Sequence, residues 1–426
     1  MSKVIQLPAV LSVFLDKDYV GTLFNEMPLA FSYDGNWIAN PNAKALDPKI
    51  PLQGGKINSI YIHAFFENLL PEGDQRKILN LRHQVTTVFG LLAAVGGDTA
   101  GAVMILPENK TPQAPSYQKT TWEQLNTQIH VNDETYFDDE DIAENTHQRL
   151  SISGAQFKIL VSIDTDGMPL LPQDASPSSH IVKPDIIRSD IKIFASAINE
   201  AIIMRCAAHC GLPTAEIFYQ ATIKACVVKR YDRLAQNNGQ LKRLSQTDFC
   251  QLAGKSSDVK YEIDGGPDFV DCFRLLVEHS AMPAVDQRNL LKWLFFNLCV
   301  GNNDSHAKNL SLLGTSTGLR LAPFYDLMCT RIYPGLARRF AFQIGGEFEP
   351  GKMQSIHFET LAATLGISFK YLKKIALEVA NEIPSAIETA CAELDKNLSV
   401  GELTLIERVT QKVTTLAKQL HQRIAG

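Results

Sequence analysis

GNNDSHAKNLSLL, residues 301–313, decides how this chain reads. It follows KWLFFNLCV, a very apolar run that reads as a helix. A dense polar cluster behind such a helix must reach solvent or build a site, because burying unpartnered polar groups is costly. Inside it, Asp304 and Asn309 stand five residues apart. Seventeen residues beyond Asn309 comes Asp326, in APFYDLM, after a short apolar run. Each part alone also has a plain reading. Asp304 could cap the next turn of an Asn-rich loop, and Asp326 could cap a helix starting at Leu327. The two motifs in this order, behind that helix, favour a site.

One acid, an amide five residues on, and a second acid after a hairpin follow the spacing logic of phosphoryl-transfer loops. Such chemistry needs a carboxylate to orient an attacking hydroxyl and accept its proton. It also needs hard oxygen ligands for Mg²⁺, and an amide plus a carboxylate supply them without crowding negative charge. A cation is needed as well. Lys183 closes the apolar run HIVK, where a lysine would normally alternate into solvent. Glu200 lies in AINEAII between Ile198 and Ile202, an awkward place for an unpaired carboxylate. Pairing with Lys183 would resolve that burial; the alternative is that Glu200 faces solvent. VVKRYDR, Val227 to Arg233, falls where two lobes would join. Backbone groups near Lys229, Arg230 and Tyr231 could read adenine, and Asp232 could reach ribose or phosphate.

Other phosphate motifs fail. AGKSS offers Gly254, Lys255 and Ser256, but a P-loop needs glycine where Phe249 stands. No G-x-G-x-x-G follows a strand. RLSISGAQFK, Arg149 to Lys158, has one glycine and two serines before a strand, which is little glycine for a permanent phosphate cradle.

The chain has 426 residues, 45% hydrophobic and 20% charged, enough for two or three domains. A net charge of -5 argues against a chain-wide nucleic-acid surface. The first residues run into Asp16, Lys17 and Asp18 and do not read as a signal peptide. No apolar run is long enough for a membrane span, so the expected compartment is the cytoplasm. The eight cysteines sit mostly in apolar company, as reduced core residues do. Cys206 and Cys210 flank His209 in RCAAHC, but no further ligands follow at metal-site spacing.

Early segments alternate as strands, then INSIYIHAFFENLLPEG reads as a helix and AVMIL as a strand. PENKTPQAPSYQKTTWEQ reads as a linker, followed by an acidic stretch. From residue 150 the order is strand, strand, helix, strand, strand, and beyond 235 the chain is mostly helical.

The set SISGAQFK, HIVK, VVKRYDR, YEIDGGP, NDSHAKN and FYD resembles the HipA family of bacterial toxin kinases. FFENLLPEG and the VGGDTAGAV patch are similar to that family's N-terminal subdomain, so the resemblance spans nearly the whole chain. It implies an α+β, two-lobed protein-kinase-like fold with an extra N-terminal α/β subdomain and a mainly helical C-terminal lobe. The corresponding segments are 1–110 for the subdomain, 111–148 for linker and acidic stretch, 149–233 for an ATP-binding small lobe, and 234–426 for the helical catalytic lobe.

It implies an ATP- and Mg²⁺-dependent serine/threonine kinase toxin of a type II toxin–antitoxin system. Asp304 would be the base, with Asn309 and Asp326 as Mg²⁺ ligands. Ser153, Gly154, Ala155, Gln156, Phe157 and Lys158 would form the phosphate loop. Lys183, His306, Ala307, Lys308 and Asn309 would line the phosphates, near Tyr325 and Asp326. Family members autophosphorylate a serine three positions before the loop glycine, which ejects the loop. Here that is Ser151, and Ser153 adds a second hydroxyl. The family can place a glutamate at the position of Lys229. Implied partners are a helix-turn-helix antitoxin, operator DNA through the antitoxin complex, and a substrate such as an aminoacyl-tRNA synthetase. Two rivals are a small-molecule phosphotransferase and a non-catalytic co-repressor. The first usually has histidine just before its aspartate, whereas here His306 follows Asp304.

Overall fold

Alternating apolar residues in VLSVFL and DYVGTLF put one face of a sheet into a core. The computed structural model describes residues 7–134, 156–187, 191–394 and 397–425. The chain forms two units, one of residues 1–182 and 229–258, the other of 183–228 and 259–426.

The first unit opens with β1 (Val10–Leu15), β2 (Asp18–Phe24), β3 (Ala30–Tyr33), α1 (Gly35–Ala39) and β4 (Lys56–Asn58). Helices α2 (Ile60–Glu67), α3 (Gly73–His83) and α4 (Val88–Val95) follow, then β5 (Val103–Pro107). The sheet order is β4-β3-β2-β1-β5, with antiparallel pairing throughout. Phe31, Phe65, Phe66, Phe89 and Leu92 fill the core behind it. Each such side chain stabilises by roughly 1.5–3 kcal/mol when removed from water. The chain continues through β6 (Tyr117–Lys119), α5 (Trp122–Glu134), β7 (Ile159–Ile163), β8 (Pro169–Pro172) and β9 (His180–Pro184). Strand β8 joins β6 and β7, and β7 pairs with β9.

The second unit begins inside β9 at Lys183. It contains α6 (Ser196–His209), the hairpin β10 (Ile217–Gln220) and β11 (Ala225–Lys229), α8 (Phe269–His279) and α9 (Pro283–Val300). The hairpin β15 (Ser311–Thr315) and β16 (Gly318–Leu321) precedes α10 (Ser355–Thr364), α11 (Phe369–Ala392) and α12 (Val400–Ala425). Residues Leu290 to Val300 of α9 are all buried, with Trp293, Phe295 and Phe296 at the centre. Helix α11 packs on α6, α9 and α12. Between β11 and α8 lie β12 (Arg233–Ala235), β13 (Leu241–Arg243), β14 (Gln246–Asp248) and α7 (Phe249–Leu252), which belong to the first unit.

The described part of the 149–233 segment gives β7 and β8 to the first unit and α6 and β10 to the second. Two features depart from the sequence reading. The first part of that segment holds three strands rather than two, because PLLP is a real strand despite its two prolines. The linker also folds in part. Tyr117 donates to the Pro177 carbonyl at 2.9 Å and Trp122 to that of Gly167 at 3.1 Å, anchoring β6 and α5. Cys206 and Cys210 are buried thiols on and just beyond α6. Among the described residues, no single helix is long and apolar enough to cross a membrane.

Candidate active site

Helix α9 stops at Gly301, whose φ of 69° is left-handed, and its N–H closes on Asn297. A Cβ there would approach Leu416 and Arg331 side chains, so glycine suits the position twice over. The polar cluster behind the helix then divides into two kinds of residue. Asn302, Asn303 and Ser305 are buried and form a frame. Asn302 donates to the Asn297 side chain at 2.8 Å and accepts from the Asp304 N–H at 3.2 Å. Asn303 donates its N–H to Thr330 at 2.8 Å and its amide to the Ala337 carbonyl at 2.9 Å. Asp304 is the exposed member. Its carboxylate accepts from the Tyr261 hydroxyl, and the Tyr261 ring lies edge-on to His306 at 4.9 Å.

Neither capping alternative describes these acids. The Asp304 side chain goes to Tyr261, and the short turn Ala307–Asn309 is preceded by His306. No helix starts at Leu327; the next turn is Thr330–Ile332. Asp326 instead has φ of 60°, a left-handed value that an aspartate adopts at some cost.

Lys183 and Glu200 meet at 2.6 Å, and Lys183 reaches Asp326 at 2.5 Å. Lys183 and Glu200 are buried, whereas the Asp326 side chain is 41% exposed. Burial alone would push the Lys183 ammonium toward neutrality. Asp326 and then Glu200 outweigh it and hold the lysine charged, well above its usual range. Asn309 donates its amide nitrogen to the Asp304 carbonyl at 3.0 Å, which assigns its side-chain oxygen to the other direction. An amide oxygen and a half-exposed carboxylate are the hard ligands that Mg²⁺ takes alongside phosphate oxygens, so the donor set fits that ion. Among the described residues no group of three His, Cys, Asp or Glu could hold a metal by itself. Ala307 and Lys308 are buried, and the Tyr325 hydroxyl donates to the Lys308 carbonyl at 2.9 Å.

The remaining expected nucleotide residues lie in the first unit or outside the described residues. Ser151, Ser153, Gly154 and Ala155 are outside. Gln156, Phe157 and Lys158 are half-buried. The Gln156 carbonyl accepts from Gln75 at 2.5 Å, and Phe157 packs on the core behind the five-stranded sheet. Lys229 is exposed and Tyr231 half-buried.

Asp232 departs from expectation. Its side chain, with that of Arg230, is spent in a buried ionic network. Arg230 grips Asp232 at 3.0 and 2.8 Å, Ser178 at 2.9 Å and the Thr99 carbonyl at 2.7 Å. Arg233 reaches Asp98 at 2.8 Å and Asp232 at 3.0 Å, and Arg230 and Arg243 each add a contact to Asp98 at 3.4 Å. The Gly101 N–H donates to Asp232 at 2.7 Å. Burial would raise the Asp98 carboxyl, but Arg233, Arg230 and Arg243 hold it well below the usual range. Asp232 therefore has little left for a ribose. Asp98 escapes the sequence reading, since GGDTAG looks like an ordinary glycine turn. Tyr261 sits in the YEIDGGP motif, where the sequence alone suggests no role for it.

These elements define an α+β kinase-like fold with a lysine–glutamate pair, a candidate base and two candidate oxygen ligands. The comparisons agree with the fold. Residues 150–387 match the family model described as HipA-like C-terminal domain, and residues 11–106 match HipA N-terminal domain. The chain is 34% identical over 397 residues to "Putative kinase Y4mE" of Sinorhizobium fredii, covering 91% of this chain and 92% of that protein. It is 30% identical over 375 residues to "Serine/threonine-protein kinase toxin HipA" of Shewanella oneidensis, covering 84% and 83%. A solved structure of HipA from Shewanella oneidensis, in complex with HipB and operator DNA, superposes with a TM-score of 0.83 at 26% identity. That match covers 98% of this chain and 99% of the other. The chain belongs to the HipA family.

Proposed function

We propose that this protein is an ATP- and Mg²⁺-dependent serine/threonine kinase that acts as a growth-arresting toxin. The observation that carries the reading is the arrangement in the second unit. Lys183 is held charged between Glu200 and Asp326, and Asp304 stands exposed beside Asn309.

In this reading Lys183 contacts the ATP phosphates, and Glu200 fixes its position. Asn309 and Asp326 would hold Mg²⁺, which neutralises charge on the phosphate oxygens. Asp304 accepts the proton of the acceptor hydroxyl. The hydroxyl oxygen bonds to the γ-phosphorus as the bond to the β–γ bridging oxygen breaks, and ADP leaves. His306, Ala307 and Lys308 line the phosphates. By resemblance to the family, Ser153 to Lys158 would serve as the phosphate loop and the backbone of Lys229 to Tyr231 would read adenine. Asp232 is kept out of this set because its side chain is committed elsewhere.

The finer claims rest on the family. The protein substrate is a translation component such as an aminoacyl-tRNA synthetase. A helix-turn-helix antitoxin neutralises the toxin, and the complex binds operator DNA; the solved relative from Shewanella oneidensis is itself a complex of HipA, HipB and operator DNA. Transfer to Ser151, Ser153 or both shuts the enzyme down. A phosphate adds about 1.5–2 negative charges, which repel the ATP that the loop must hold.

Incubation with Mg-ATP followed by intact mass and peptide mapping tests this. Added phosphate on Ser151 or Ser153, lost in Asp304→Gln, is expected. A wild-type chain that neither binds ATP nor gains phosphate would overturn the kinase reading. Normal growth on expression of an active wild-type chain would overturn the toxin reading alone.

A further inference from the structure

The hydroxyl of Tyr261 reaches the carboxylate expected to take the substrate proton. The segment that presents it is braced by its own backbone bonds and by its neighbours. The Tyr261 carbonyl accepts from Asp264 at 3.1 Å and from Gly266 at 2.9 Å, while Gly265 closes on Glu262 at 3.0 Å. A Cβ on Gly266 would strike the Val259 and Tyr261 carbonyls, so the loop closes only around glycine. Glu262 accepts from the Gln343 N–H at 2.9 Å. On the far side Asp268 caps α8, with Asp271 returning the bond. YEIDGGP is thus a rigid arm with a phenol at its tip, and the phenol ring also lies against His306.

An exposed aspartate otherwise samples several rotamers, and a base works only in the geometry of its task. We propose that Tyr261 is a positioning residue for phosphoryl transfer. Its hydroxyl fixes the Asp304 carboxylate in the orientation that accepts the substrate proton, and its ring fixes His306 beside it. The inference rests on Asp304 being the base, as proposed above. Tyr261 touches neither nucleotide nor metal ligand in this account, so loss of its hydroxyl with the ring kept against His306 affects turnover and leaves nucleotide binding alone.

The test uses the full-length chain, with transfer to itself or to a generic protein acceptor and nucleotide affinity measured separately. Tyr261→Phe keeps the ring and removes the donor. Its turnover should fall roughly ten-fold, part of the roughly 10²–10⁴ that a positioned acid–base group contributes. The Kd for Mg-ATP should stay within about two-fold, as expected for an interaction used only in the transition state. Tyr261→Ala, which also frees His306, should be slower still. Unchanged turnover in Tyr261→Phe overturns the proposal. So does a rise, which would make the hydroxyl a gate occupying the acceptor position. A fall matched by lost nucleotide affinity or a lowered Tm also overturns it, because the residue would then be only structural. If the wild type itself transfers no phosphate, it is the kinase reading that has failed.

Discussion

Two clusters of buried charge use opposite designs. Around Asp98, two carboxylates meet three arginines, and the side chains of Asp98, Arg230 and Arg233 are at most 2% exposed. Around Lys183, one ammonium meets two carboxylates, and one of these, Asp326, keeps 41% of its side chain in solvent on a left-handed backbone. The first arrangement is nearly closed: its terminal guanidinium nitrogens end on carboxylates, carbonyls and Ser178, and only the buried Nε atoms of Arg233 and Arg243 are left without a partner among the described residues. It ties residues 98–101 to residues 230–233 and has little capacity for a ligand. The second is closed on the Glu200 side and open on the Asp326 side. Removing partners from a sealed cluster should cost stability, and removing the open partner should cost activity.

The sharpest way to break the contrast is Asp98→Asn. It leaves three arginines short of a buried charge, and a loss of about 3–5 kcal/mol is expected from denaturant midpoints. The sign with pH also follows. The Asp98 carboxyl is held low in the folded state, so its contribution is complete above the usual carboxylate value of about 4 and fades below it. The gap between wild type and variant should therefore narrow in acid. Glu200→Gln comes next. It weakens a buried, charge-assisted bond worth about 1.5–3 kcal/mol and slows transfer as Lys183 loses its anchor. Asp326→Asn should change stability by only about 1 kcal/mol, because the pair is half in water. Transfer should nevertheless fall by a factor on the order of 10². If Asp326→Asn unfolds the chain while Asp98→Asn does not, the contrast is reversed.

The smallest effect concerns Glu262. Burial raises its carboxyl to about 7, with Asp268 and Asp271 adding to it and the Gln343 N–H opposing. Folding favours its neutral form, so its ionisation costs stability as pH rises from the ordinary glutamate value to about 7. Glu262→Gln should match the wild type at pH near 4 and gain slightly in Tm at pH near 8. A variant that is less stable at pH 8 would contradict this.

The sequence made the open cluster legible and hid the closed one. Lys183 after an apolar strand and Glu200 between isoleucines each violate the local pattern, and their mutual solution is a pair. Asp304 and Asn309 stand out because a dense polar cluster follows a strongly apolar run, KWLFFNLCV. Their frame was hidden in the same cluster, since Asn302, Asn303 and Ser305 differ from Asp304 only in which way they turn. Asp98 and Arg233 are 135 residues apart, and no local pattern announces such a pairing. Strand β8 was concealed by its prolines, and the first turn of α5 by linker-like composition. Tyr261 lies 43 residues before Asp304, in a loop whose glycines read as an ordinary turn.

The most direct measurement compares wild type with Asp304→Asn for Mg-ATP affinity and for transfer rate in the same preparation. Asp304 is exposed and outside the buried frame, so folding and nucleotide affinity should be retained. Transfer should fall by roughly 10²–10⁴. An Asp304→Asn chain that transfers phosphate at the wild-type rate would contradict the assignment of this loop as the catalytic centre.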